Sequence, residues 1–309
     1  MCSRSNPRRA YFTHDNAAML MKDYPTHLNL PDCILDGLPD TGSSFTDVYR
    51  STTHNHGIQV KVWRGASMRE EEQERFAMRL SEILKDWKQA MRHSNVAPFL
   101  GVAPGNKRLP ALVTPLYTNG NINQYLNKRP EANRLDLLLS VADALKFMHS
   151  LNPPVVHGGV RGANILISDD EEALLSDIGI CTLPCDPDLA PVGDGLKYVR
   201  WTAPEIFDQD VTCSEAGDVY SFGMTVLEVF TGQKPYANRS RHTDTIFDSM
   251  HGILPPRPDC PALTDYIWDL IRSCLIKVEN RPSMDVVHAW MLALQLKEDL
   301  DTLDRNLKR

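Results

Sequence analysis

The chain has 309 residues, of which 42% are hydrophobic and 24% charged, so it carries enough apolar material for a real core and too much for a disordered chain. A formal net charge of −7 argues against nucleic acid or an anionic membrane as the main partner. No apolar stretch approaches the roughly 20 residues of a bilayer span, the first residues lack the apolar centre of a secretory signal, and the seven cysteines are scattered without a C-x-x-C pair; the expectation is a cytoplasmic protein with reduced thiols.

Residues 1–30 are polar and irregular and read as a flexible tail. Residues 31–114 are strand-rich with one long helix. Ile58-Gln59-Val60-Lys61-Val62-Trp63 begins with the alternation of a half-buried strand. The charged stretch Glu70 to Met91 carries Phe76, Leu80, Ile83, Leu84 and Trp87 at helical spacing. Residues 115–121 form a short hinge that ends in an Asn119-Gly120 turn. From 122 to 296 the pattern is helical. Arg134 to His149 places Leu135, Leu138, Ala142, Leu145 and Met148 on one face, and further helices are predicted over Ser214–Thr231, Asp265–Cys274 and Met284–Leu296. Strands first and helices second predict an α+β chain in two lobes. Residues 297–309 read as a C-terminal helical extension. Leucines at 296, 300, 303 and 307 make a heptad-like stripe, which is short for a coiled coil; it serves self-association, or else docks on its own domain or frays. Cys181 and Cys185 are either a redox pair or plain loop thiols.

Several short motifs then fall in one order: Val60-Lys61-Val62; His157-Gly158-Gly159-Val160-Arg161-Gly162-Ala163-Asn164; Ser176-Asp177-Ile178-Gly179; Ala203-Pro204-Glu205; Asp218-Val219-Tyr220-Ser221-Phe222-Gly223; and Asn280-Arg281-Pro282. In this order and spacing, over about residues 33–296, they resemble a protein-kinase domain. The H-G-x-x-R-G-A-N loop and the R-W-T-A-P-E run look most like the tyrosine-kinase-like group expanded in fungi. The resemblance implies a bilobal fold with a small β-rich lobe holding a five-stranded sheet and one helix, and a larger helical lobe. It also implies ATP with magnesium as cofactor.

Carried over by resemblance, Lys61 holds the α- and β-phosphates, and the plain alternative is an edge-strand lysine. Nucleotide-binding positions fall on Thr41, Gly42, Ser43, Lys61, Thr114 and Tyr117. The three glycine positions of the phosphate-covering loop hold Thr41, Ser43 and Thr46, which puts side chains where backbone N–H groups should face phosphate. Asn164 and Asp177 are the implied metal ligands, with the oxygen chemistry magnesium prefers; polar turn residues are the alternative. The glutamate that pairs with the lysine is not at its expected place, which holds Leu84. Glu82 is the nearest candidate, set against a solvated glutamate on a charged helix. His157, Glu205, Asp218 and Arg281 read as scaffold, with Glu205 and Arg281 a buried ion pair.

Gly159 is the decisive departure. An active kinase has an aspartate there to accept the hydroxyl proton and aim the nucleophile. Arg161 stands at the catalytic-loop lysine position and can steady a phosphoryl group, but it cannot act as a base. Gly158 replaces the arginine that pairs with an activation-segment phosphate, while Thr182, Tyr198 and Thr202 are structural or phosphate-accepting. The expectation is a pseudokinase with weak ATP binding, acting on protein partners in signalling as scaffold or allosteric regulator. The alternative is a weakly active serine/threonine kinase. An aspartate restored at 159 returns phosphotransfer only if its neighbours leave room.

Overall fold

A computed structural model describes residues 39, 41–42, 46–53, 56–63, 68–104, 109–185, 198–207 and 212–307. The expected tail over 1–30 and the position of Ser43 lie outside these residues. The chain divides into two compact units. The first takes residues 1–88, 98–117 and 183–194, and the second takes 89–97, 118–182 and 195–309.

The described part of the first unit is built on a five-stranded antiparallel sheet. Its strands are β1 (Thr41–Gly42), β2 (Thr46–Thr53), β3 (His56–Trp63), β4 (Gly101–Pro104) and β5 (Pro110–Pro115), in the order β1-β2-β3-β5-β4. Alternation along β3 puts Ile58, Val60 and Val62 on one face, where they are buried with Ala103, Ala111 and Val113. Lys61 projects from the other face, in register with Val48 on β2 and Leu112 on β5. Helix α1 (Glu70–Ala90) opens with Glu70, Glu71 and Glu72, the charge its N-terminus favours. Its buried side carries Gln73, Phe76, Leu80, Ile83, Leu84 and Trp87. Phe76 meets the Trp63 ring edge-on at 5.3 Å, and Trp87 meets Phe99 at 5.5 Å.

The second unit is helical. Its helices are α2 (Ile122–Lys128), α3 (Arg134–His149), α4 (Glu215–Thr231), α5 (His242–Met250), α6 (Asp265–Cys274) and α7 (Met284–Leu307). Caps set the boundaries. The Asn133 side chain accepts from the backbone of Leu135 and Asp136, the Ser214 hydroxyl from Gly217, and the Thr264 hydroxyl from Ile267. Helix α4 is apolar nearly all round and buried from Gly217 to Phe230, as a central helix must be. A hairpin of β6 (Ile165–Ile167) and β7 (Ala173–Leu175) carries the loop that follows Gly162. The sequence reading put the last helix end at Leu296 and a separate extension at 297. The helix instead runs unbroken to Leu307, because no glycine or proline interrupts 284–307. No described helix is long and apolar enough to cross a membrane.

The Glu205–Arg281 pair ties the segment before α4 to the turn before α7. Arg281 donates from both Nη atoms to the Glu205 carboxylate, at 2.6 and 3.1 Å, and also to the carbonyls of Ala216 and Ile276. The arginine side chain is fully buried. Arg281→Ala strands a carboxylate that is 15% exposed, and the loss is expected at about 3–5 kcal/mol. The check is thermal unfolding of Arg281→Ala and Glu205→Ala. Both should melt about 10 °C below the parent, and unchanged melting in both removes the pair as a structural element.

Candidate functional site

The site begins with a buried carboxylate. Asp218, in the first turn of α4, is 1% exposed. It accepts the backbone N–H of His157 at 2.7 Å and of Gly158 at 2.8 Å, and the His149 ring lies 3.0 Å from it. Gly158 takes φ +72°, the left-handed region that glycine enters without a Cβ penalty. An arginine there would be strained, and its Cβ would also lie 3.0 Å from the Thr182 methyl. His157 is fully buried, with Nε2 2.9 Å from the Ser176 carbonyl. That nitrogen therefore donates, which leaves Nδ1 to accept from the Gly159 N–H at 3.1 Å. Burial pushes the His157 pKa below the ordinary imidazole value, so the ring stays neutral.

The same tie orders the second half of the site. The Ser176 backbone and hydroxyl both donate to the Asn164 carbonyl, and Gly179 N–H donates to the His157 carbonyl. Asp177 follows Ser176 with φ +62°, an uncommon state for a residue with a side chain. Ile178 behind it is fully buried. His157, Gly159, Arg161, Asn164 and Asp177 thus belong to one hydrogen-bonded segment pair.

Gly159 has no room for a side chain. A Cβ there would lie 2.3 Å from Sγ and 2.7 Å from Cβ of Cys181. The cysteine therefore fills the volume in which a residue-159 carboxylate would begin, and it is 8% exposed. Its sulfur also receives the Asn164 amide at 3.6 Å. The sequence reading left Cys181 as a loop or redox thiol and did not place it here. Its contact with Gly159 spans 22 positions and leaves no periodic signal.

Asn164 is 2% exposed and its side chain is spent locally. The amide nitrogen donates to the Gly159 carbonyl at 2.9 Å, and the amide oxygen accepts from Arg161 Nη2 at 3.3 Å. The Arg161 guanidinium in turn lies 3.9 Å over the Tyr198 ring. Arg161 thus sets a positive charge beside the amide oxygen, which a metal ion bound there would have to share or displace. Among the described residues, no group of three or more His, Cys, Asp or Glu side chains could hold a metal ion. The Thr182 and Thr202 hydroxyls are also engaged, with the carbonyls of Gly179 and Tyr198.

One positioning residue was missed. Glu228, in the last turns of α4, is buried. It accepts from Gly162 N–H at 2.9 Å, from the Trp201 indole at 2.9 Å and from the Asn123 amide at 2.7 Å. The available signal was an acid inside the apolar run Val226-Leu227-Glu228-Val229-Phe230.

In the first unit, pairing of Gln59 with Thr114 and of Lys61 with Leu112 puts Lys61 and Thr114 on one sheet face. Thr41 pairs with Val48, the same residue that pairs with Lys61 on its other side. Gly42 pairs with Asp47, and Tyr117 lies two residues past β5. Glu82 is on the solvent side of α1, 63% exposed, with its carboxylate 2.9 Å from Arg79. The buried side of α1 carries no acid at all. The structure therefore places Glu82 as the solvated member of a charged helix.

A family model described as protein tyrosine and serine/threonine kinase matches residues 41–291. The chain belongs to this protein kinase family. It is similar to serine/threonine-protein kinase CTR1 of Arabidopsis thaliana, 28% identical over 68% of this chain and 26% of that protein. It is also similar to serine/threonine-protein kinase WNK8 of the same plant, 26% identical over 83% of this chain and 44% of that protein. A third relative is serine/threonine-protein kinase TNNI3K of Homo sapiens, 24% identical over 77% of this chain and 29% of that protein. The chain spans less than half the length of each of these curated relatives.

Two outcomes test this kinase site. Gly159→Asp alone should lower the melting temperature and give no phosphotransfer, because the new side chain meets Cys181. Adding Cys181→Gly should recover part of the melting loss, and an unperturbed melt of the single variant would contradict the contact. Glu228→Gln keeps an acceptor oxygen on only one side, for Asn123 or for Gly162 and Trp201, and sets its NH₂ against the donor on the other, which should cost about 2–3 kcal/mol. Chemical denaturation reads that loss, and an unchanged midpoint would remove Glu228 from its positioning role.

Proposed function

We propose that this kinase-family chain is a pseudokinase that binds ATP weakly and acts through protein partners, as a scaffold or allosteric regulator in signalling. The observation that carries the reading is Gly159 packed against Cys181. A positioned general base typically contributes about 10²–10⁴-fold, and here neither the carboxylate nor its space exists. Three further features support it. The Asn164 oxygen is bonded to Arg161, the buried side of α1 offers no acid, and threonines stand at outer positions of the phosphate-covering loop.

The second reading is a weakly active serine/threonine kinase that transfers the ATP γ-phosphate to protein hydroxyls. It is favoured by the retained Lys61, Asn164 and Asp177 and by relatives that carry the name serine/threonine-protein kinase.

Calorimetric titration with ATP, with and without magnesium, and a phosphotransfer assay on the same sample separate the two. The pseudokinase reading expects weak binding, lost in Lys61→Ala and little changed by magnesium, with no transfer above background. Robust transfer that Asp177→Ala abolishes would establish the second reading in its place.

A further inference from the structure

Helix α7 has two faces with different fates. Met284, Val287, Met291 and Leu294 are buried. The helix is held on α3 by the Gln295 amide bonded to the Asp136 carboxylate and by His288 at 3.4 Å from Asp143. Continued at the same spacing, this docked face reaches Glu298 and Asp301, so its apolar part ends at Leu294. Leu296, Leu300, Leu303 and Leu307 lie elsewhere, 63, 64, 57 and 85% exposed. At 100° per residue they fall about 180–240° around the helix from Leu294. An unbroken helix docked by one side turns the opposite stripe away from the face it rests on.

We propose that the stripe pairs with the same stripe of a second copy of this chain, with the two helices antiparallel. The spacing 4-3-4 makes Leu300 and Leu307 a-type positions and Leu296 and Leu303 d-type positions. An antiparallel pair centred between Leu300 and Leu303 sets Leu300 against the partner's Leu303 and Leu296 against the partner's Leu307. All eight leucines are then in layers. The flanking charges choose this orientation. Lys297 and Asp304 hold equivalent flanking positions, and the antiparallel register brings each Lys297 to the partner's Asp304 twice over. A parallel pair would instead set Asp299 against the partner's Asp304, two like charges. Lys297 is already drawn to one side of the helix, its ammonium 3.5 Å over the Tyr266 ring. Eight leucines bring on the order of 1,000 Å² of surface into play, the low edge of specific interfaces. An interface this small is expected to be transient and not permanent.

Sedimentation velocity on the full chain, from about 5 to about 200 μM, spans the range expected for an interface of this size. The expected result is a dimer that grows with concentration. Leu300→Glu with Leu303→Glu should leave a monomer with an unchanged melt, since both side chains are exposed. Lys297→Asp and Asp304→Lys should each weaken dimerisation several-fold, and the two together should restore it. A monomer throughout the range overturns the proposal, whether the stripe is then covered by the chain's own residues or by a different protein. A dimer indifferent to the leucine variant overturns it too. Association strengthened by Asp304→Lys alone overturns the antiparallel register.

Discussion

Two buried carboxylates on one helix set the shape of the loop on which the site is built. Asp218 and Glu228 sit near opposite ends of α4. Their hydrogen-bond donors are backbone N–H groups, an indole, an amide and the His149 ring. Asp218 takes the N–H groups of His157 and Gly158 and faces the His149 ring, while Glu228 takes Gly162, Trp201 and Asn123. A carboxylate buried in this way is stable only while every donor stays in place, since an unsatisfied buried charge is costly. Three of the six donors are backbone N–H groups of the loop itself, so the constraint falls on the path of the chain. The loop from 157 to 162 is therefore clamped at both ends whatever side chain stands at 159.

That separation lets the catalytic position change without loss of fold. A side chain at 159 takes no part in the clamp, so its removal leaves the loop's path intact. It also leaves a volume, and interiors do not tolerate voids of that size. Cys181 occupies it, and Asn164 turns its amide to the Gly159 carbonyl and the cysteine sulfur. Together these contacts fill the volume beside Gly159. The Glu205–Arg281 pair, which bears on folding alone, keeps full bidentate geometry.

The fold was largely legible because its signals are local. Ser214 marks the start of α4, and the apolar spacing of 134–149 marks α3. The strand alternation at 58–62 correctly put Lys61 on the face opposite Ile58 and Val60. Helices α2 and α5 went unread, since short elements with few buried residues carry little periodicity. The site was legible only as a list of residues. That Gly159 lacks a carboxylate is plain from sequence, but that Cys181 takes its place is a tertiary fact. Glu82 was only the nearest acid to the expected place, which holds Leu84, and its position on α1 is fixed by Phe76, Leu80 and Leu84, which turn it to solvent. The end of the last helix was misplaced for a related reason. Residues 297–309 were read as a helical extension apart from the helix ending at Leu296, whereas one helix continues through both because nothing breaks its backbone hydrogen bonding.

The arrangement around Tyr198 extends the same logic to regulation. In the kinase family an arginine beside the catalytic residue can hold a phosphate and so order the activation segment. Here that position is Gly158, at a backbone angle unsuited to any long side chain. Arg161 lies over Tyr198 instead, and the Thr202 hydroxyl closes on the Tyr198 carbonyl. Arg200, one turn away, donates to the carbonyls of Pro235, Tyr236 and Arg239. Residues 198–202 are thus fixed by a stacked cation and by carbonyl acceptors, and no added phosphate is needed to hold them.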